Sequence, residues 1–151
     1  MRPRGKVTVN RIALGDPLEE AKASLGPVKE ASSRNSVLRP GEKRYVSLNK
    51  PEISFHCGLD GFVKAIIGDS FEDDSQIIFG TGKSWSKEVL KILGPQTKQS
   101  DGSRQVWSYF ELGTNEMGVN FIFDDGLLTG ISTIDKEDYK QWTAAMEKAK
   151  N

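Results

Sequence analysis

The chain has 151 residues, and its 21 acidic and 21 basic side chains balance to a formal net charge of zero. This length suits one domain with a sizeable core, and the balanced charge argues against the positive field by which proteins attract nucleic acid. The single cysteine excludes an internal disulfide, and no stretch is long and apolar enough to span a membrane. Because the start lacks the apolar run of a signal peptide, the sequence predicts a cytoplasmic protein; a periplasmic or secreted one remains open if a signal was removed.

The first predicted elements are a strand in "KVTVNRIAL" and a short helix in "GDPLEEAKASLG". The helix is indicated by Asp16 as its N-cap, by Pro17 at the first helical position and by Gly26 at its end. Three strands with alternating apolar residues follow in "EKRYVSL", "EISFHC" and "FVKAIIG". The first unit is therefore predicted as a helix followed by three strands.

Residues 69–76, "DSFEDDSQ", are polar and acidic, and they are predicted to form a solvated connector. A metal site is the alternative, but the segment lacks the alternating ligands and the glycine of a calcium loop. After this segment, the order of one helix followed by three strands recurs. A helix in "GKSWSKEVLKILGP" has Ser84 as a possible cap and ends at Gly94, and three strands follow in "SRQVWSYFEL", "GVNFIF" and "LLTGISTI".

The recurring order predicts one domain over 1–151 with internal repeats over 7–70 and 77–135. The predicted fold class is α+β: two tandem helix-plus-three-strand units form one antiparallel sheet with the helices on one face. A C-terminal helix over 136–150 completes the prediction. Its apolar side chains recur at intervals of 3, 4 and 3, and we expect it to dock on the body: Tyr139, Trp142, Met146 and Ala149.

The second unit carries the motifs of a known family in a fixed order: Leu93-Gly94-Pro95, Trp107 and Tyr109, Phe121 and Phe123, and Asp125-Gly126. In this formula the chain resembles the beta-lactamase inhibitor protein-like fold. Small lipoproteins of the outer-membrane barrel assembly machinery carry the unit once, and the beta-lactamase inhibitor protein carries it twice. The resemblance covers roughly residues 7–135. Because its motifs are structural and not catalytic, the resemblance implies a fold and says little about function.

The sequence lacks the combinations of residues that catalysis usually requires. His56 is the only histidine, and its neighbour Cys57 should point to the opposite side of a strand, so the two cannot form a dyad. "GTGKS" at 80–84 lacks the first glycine of a phosphate-binding loop, since Ile77 stands at that position. We therefore predict a protein that is not an enzyme and that has no cofactor, no metal and no nucleic-acid partner.

A binding face is predicted from the hairpin register. If Leu48 pairs with Ile53, and Leu112 with Met117, one face of the sheet is open and carries aromatic and polar side chains. The predicted partner-binding residues are Tyr45, His56, Trp107, Tyr109, Glu111, Asn120 and Ile122. A register shifted by one residue is the alternative, and it would bury Trp107 and Tyr109 and expose Phe110.

The sequence thus favours a non-enzymatic module that binds another protein, an enzyme or a toxin, as an inhibitor or immunity-type antagonist. The alternative is a structural or assembly module of the bacterial cell envelope, like the single-unit lipoproteins.

Overall fold

The computed structural model describes residues 3–31, 41–100 and 102–134, together with the single positions 144 and 148. Two helices lie in these ranges, α1 (Leu18–Leu25) and α2 (Ser86–Leu93). The first strands are β1 (Val7–Val9), β2 (Val28–Ala31), β3 (Lys43–Ser47), β4 (Ser54–Cys57), β5 (Val63–Gly68) and β6 (Ser70–Asp73). The remaining strands are β7 (Gln76–Gly80), β8 (Lys98–Ser100), β9 (Arg104–Leu112), β10 (Met117–Asp124) and β11 (Leu127–Ile134).

The predicted fold class is wrong, because the described residues are mostly β and form two antiparallel sheets. The large sheet has eight strands in the order β2-β3-β4-β5-β11-β10-β9-β8, and each helix is followed by four strands of this sheet rather than three. The small sheet has three strands in the order β1-β6-β7. It packs on the large sheet, since the rings of Phe71 and Phe79 meet the ring of Phe121 at centroid distances of 5.4 and 5.6 Å. The covering layer is therefore a sheet together with two short helices.

The small sheet includes the segment predicted as a solvated connector. Phe71 in β6 is fully buried, and the carboxylate of Glu72 beside it is only 1% exposed. This carboxylate accepts hydrogen bonds from Thr8 Oγ1 at 2.6 Å, from the Arg11 backbone N–H at 2.7 Å and from the Ser70 hydroxyl. A buried carboxylate needs such donors to offset the loss of water, and here they join β6 to β1 and the turn that follows it.

The core lies between the two sheets, on what we call the covered face of the large sheet. Buried residues of both helices belong to the same cluster, Ala21 from α1 and Val89 and Leu93 from α2. The other side of the large sheet is the open face. Both helices and the small sheet pack on the covered face, so no described helix or further strand lies over the open face.

The expected C-terminal helix over 136–150 lies outside the described residues, except for 144 and 148, which both have helical backbone. The repeat boundaries at 7–70 and 77–135 stay a prediction.

Candidate binding face

The seven predicted site residues do not share one face. Tyr45, Trp107 and Tyr109 were expected on the open face, but they are 8%, 8% and 0% exposed and belong to the core cluster. His56, Asn120 and Ile122 lie on the open face and are half-buried; His56 is aligned with Ala65 in β5, whereas Asn120 and Ile122 are aligned with Ser132 and Gly130 in β11. Glu111 is exposed at the hairpin end of β9. The predicted aromatic centre of the site is therefore wrong.

A β-bulge explains the error in the second hairpin. Leu112 pairs with Met117 as predicted, but the next aligned pair is Tyr109 with Val119. β9 thus uses one more residue than β10 at this point, and Glu111 takes a positive φ of 58° to accommodate it. One extra residue inverts the alternation of the rest of the strand, which sends Trp107 and Tyr109 to the covered face.

The first hairpin departs from its predicted register at the loop. Ser47, not Leu48, is opposite Ile53, and the Ser47 N–H donates to the Ile53 carbonyl at 3.0 Å. The Ser47 hydroxyl also accepts a hydrogen bond from the Lys50 backbone N–H at 3.1 Å, so the loop begins one residue earlier than expected. As a result Tyr45 stands directly opposite Phe55, on the covered face, with ring centroids 5.4 Å apart.

The three buried aromatics have structural contacts of their own. The Tyr109 hydroxyl donates to the Gly94 carbonyl at 2.9 Å, which ties β9 to the end of α2. The Trp107 ring lies 4.8 Å from the Phe123 ring, and its Nε1–H donates to Gln105 Oε1 at 3.1 Å. Since the polar groups of Tyr109 and Trp107 have partners inside the fold and the Tyr45 ring stacks on Phe55, these aromatic residues stabilise the core.

A polar row crosses the open face on three adjacent strands. Asn120 in β10 is aligned with Ser108 in β9 and with Ser132 in β11. The Ser108 hydroxyl donates to Asn120 Oδ1 at 2.5 Å, and Asn120 Nδ2 lies 3.5 Å from Ser132 Oγ. These contacts fix the amide of Asn120 in one orientation. Ser108 is only 7% exposed, whereas Asn120 and Ser132 are half-buried and carry the polar groups of the row that a bound molecule could reach.

Apolar side chains flank this row. On one side Ile122 is aligned with Val106 and with Gly130, whose missing side chain leaves room for Ile122. On the other side, Phe110 and Ile134 both approach the position that a side chain on Gly118 would take. The open face therefore combines a central row of hydrogen-bonding groups with apolar strips.

Ile67 in β5 stands in the middle of the large sheet, opposite Ser132, and is 50% exposed. The prediction missed Ile67, Ser108 and Ser132. The alternation in "FVKAIIG", "SRQVWSYFEL" and "LLTGISTI" could have identified them once the faces were assigned correctly.

His56 and Cys57, the histidine and the cysteine considered above, lie on opposite faces of β4. Cys57 is 3% exposed on the covered side of β4, whereas its neighbour His56 lies on the open face. Burial raises the pKa of the Cys57 thiol above its ordinary value, the charge of Asp60 raises it further, and Lys22 opposes both. The thiol is therefore protonated at neutral pH and is a poor nucleophile.

The "GTGKS" segment at 80–84 forms a turn that is held by hydrogen bonds between its own first and last residues. The Ser84 N–H donates to the Gly80 carbonyl at 3.0 Å, and the Ser84 hydroxyl accepts from the Gly80 N–H at 3.1 Å. Within the described ranges, no group of three or more His, Cys, Asp or Glu side chains could hold a metal ion. Neither α1 nor α2 has the length and the apolar character needed to cross a membrane.

Comparisons with known proteins give one distant structural likeness. No family model and no curated protein matches the chain. Among solved structures the chain is similar to a DUF4309 family protein (YjgB) from Bacillus subtilis, with 12% sequence identity and a TM-score of 0.48, over 85% of this chain and 82% of that one.

Proposed function

We propose that this protein is a non-catalytic binding protein that contacts a partner protein through the open face. The observation that supports this is the hydrogen-bonding row of Ser108, Asn120 and Ser132, flanked by apolar strips and by the half-exposed Ile67. Mixed polar and apolar surfaces of this kind are typical of protein interfaces.

The size of the face favours a macromolecular partner over a small ligand. Eight strands spaced by about 4.8 Å span about 34 Å, and a typical interface needs about 800 Å² on each partner. A small ligand would need a concave pocket that buries most of its surface, whereas this site is a sheet face.

The separation of His56 and Cys57 on opposite faces of β4 supports a role without catalysis. A rigid face that occludes a partner is the property required of an inhibitor or an immunity-type antagonist, and we propose this role for the protein. A structural module of the cell envelope remains the alternative. It would contact several components, whereas an antagonist forms a one-to-one complex with one partner.

The test uses a photoreactive phenylalanine analogue at Ile67 in the full chain, with the same analogue at Leu90 of α2 as the matched control. The two side chains are 50% and 45% exposed, but Leu90 belongs to the helix layer on the covered side. Irradiation in the native lysate should give one dominant protein adduct from position 67 that is faint or absent from position 90. Adducts of equal yield at both positions would contradict the proposal, and several distinct adducts would favour the assembly role.

The protein identified in this way is then purified and titrated. Asn120→Ala should weaken its affinity by about tenfold, because the amide lies at the centre of the hydrogen-bonding row. The same substitution should leave thermal unfolding nearly unchanged. Unchanged affinity would show that the partner does not bind at the open face.

A further inference from the structure

We propose that the partner presents an acidic surface to the open face, and that Lys29 and Arg44 bind its carboxylates. This inference rests on the proposed function and adds the chemistry of the partner. The starting observation is that the hydrogen-bonding row continues across the sheet, because Ser132 is aligned with Ile67 in β5. The alignment then runs through β4 and β3 to the edge strand β2, by way of Ser54, Val46 and Lys29.

Two positions on this half of the row are accessible to a partner. Ile67 is 50% exposed and Lys29 is exposed, whereas Val46 and Ser54 between them are only 6% and 3% exposed. Three strand spacings of about 4.8 Å separate β5 from β2, which places Lys29 about 14 Å from Ile67. A partner that lies along the row therefore meets an apolar contact at Ile67 and a cation at the edge of the sheet.

Arg44 in β3 adds a second cation beside Lys29. It precedes Val46 by two residues, so both side chains lie on the open face. Arg44 Nη2–H donates to Ser54 Oγ at 3.4 Å, which directs the guanidinium towards the row. Because Lys29 is aligned with Val46, Lys29 and Arg44 are diagonal neighbours about 7 to 8 Å apart, within reach of long side chains. One carboxylate can therefore contact both cations.

The positive charge at this position is not neutralised within the part of the chain that the structure describes. No ion pair between described residues involves Lys29 or Arg44. Lys43, which is next to Arg44 but lies on the covered side opposite Cys57, does pair with Glu30 at 3.9 Å. A guanidinium beside an ammonium group binds carboxylates through charge-assisted hydrogen bonds.

An acidic protein surface fits this arrangement better than nucleic acid does. Nucleic-acid-binding domains usually carry an excess of positive charge, whereas this chain has a formal net charge of zero. The two cations also lie on the same face as the half-exposed Ile67 and the hydrogen-bonding row. Complementary charge beside such a mixed surface accelerates the association of two proteins and selects among partners.

The first test uses a fluorescently labelled hexaglutamate peptide as the probe and the full chain at low salt. Lys29→Glu should weaken peptide binding by about tenfold, because an attraction becomes a repulsion. Lys43→Glu is the matched control, since it makes the same change of charge at an exposed lysine on the other side of the sheet. It should leave the affinity nearly unchanged.

Equal losses of peptide affinity from the two substitutions would overturn the proposal. An oligothymidine strand is titrated in parallel. If it binds more tightly than the peptide and also depends on Lys29, the cations serve nucleic acid and the assignment to an acidic protein is wrong.

The second test measures the association rate of the partner that is captured through Ile67. At low salt, Lys29→Glu should lower the association rate constant by about tenfold and Arg44→Gln by about threefold, while Lys43→Glu should have little effect. The differences should shrink as the salt concentration rises, because salt screens exposed charges. An association rate that does not depend on salt would contradict an acidic surface on the partner.

These experiments separate the inference from the proposed function. If the adduct at Ile67 is specific and Asn120→Ala weakens the complex, but Lys29→Glu and Lys43→Glu behave alike, the acidic partner is wrong and the open face remains the binding face. If peptide binding depends on Lys29 but adducts form equally at Ile67 and Leu90, the proposed function fails and the carboxylate site stands.

Discussion

The two faces of the large sheet are made by alternate residues of the same strands, yet they have opposite chemistry. On β9, Trp107 and Tyr109 belong to the buried core cluster, while Ser108 between them and Val106 next to Trp107 lie on the open face. The covered face is aromatic and aliphatic, and the polar groups of Trp107 and Tyr109 are hydrogen-bonded within the fold. The open face has a row of hydroxyl and amide groups between apolar strips. Strand alternation thus defines two surfaces, and the parity of each strand decides which side chains enter the core.

The largest expected effect comes from deleting Ser108, because one residue fewer between Tyr109 and Trp107 inverts the alternation of the rest of β9. If Tyr109 keeps its pairing with Val119, the deletion places Trp107 opposite Asn120 on the open face and Val106 opposite Phe121 in the core. We expect a loss on the order of 5 kcal/mol or more, comparable with the whole stability of a small domain. Circular dichroism and urea unfolding of the purified protein measure it.

Glu111→Gly is the matched control for this deletion. It keeps the length of β9, and glycine adopts the φ of 58° found at this position without steric cost. The control should be as stable as the parent or up to about 1 kcal/mol more stable. If the deletion and the substitution behave alike, the alternation along β9 does not decide which side chains are buried.

Trp107→Ala should have the next largest effect. Trp107 is 8% exposed and packs against Phe123, so its removal should cost about 3 to 5 kcal/mol of folding stability. Val106→Ala, one residue away on the half-buried open face, should cost about 1 kcal/mol. Equilibrium unfolding of both variants compares the two faces directly, and a small loss for Trp107→Ala would restore the predicted open-face position.

The smallest expected effect is the contribution of Cys57 to the pH dependence of the unfolding free energy. Cys57 follows His56 in β4 and lies on the covered face. Burial raises its pKa above the ordinary value of 9.0, so the protonated thiol stabilises the folded state. This contribution is complete below pH 9 and is lost as the pH rises through the pKa of the folded protein. The difference in unfolding free energy between the parent and Cys57→Ala should be constant from about pH 6 to pH 8 and then shrink. A constant difference up to pH 10.5 would show that burial does not shift this thiol.

Several elements could be predicted from sequence because their signals are local. Both helices end where Gly26 and Gly94 adopt positive φ values of 83° and 78°, each directly before a proline. The strands β9, β10 and β11 and the pairing of Leu112 with Met117 are also confirmed. The strand β6 was missed because six of the eight residues in "DSFEDDSQ" are acidic or serine, and only the burial of Phe71 and the donors around Glu72 make it part of a sheet.

By itself the sequence determined where both helices end and where β9, β10 and β11 lie, since turn residues and apolar periodicity act within a few residues. The helix caps lie one residue later than predicted, at Pro17 and Trp85 in place of Asp16 and Ser84. Only the tertiary structure decided which side of each strand is buried. Which residues of a strand are buried depends on two single-residue features, the bulge at Glu111 and the loop that begins early after Ser47. Packing against distant strands stabilises both features. The open face therefore carries Ser108, Asn120 and Ser132 in place of the aromatic residues that the local pattern predicted.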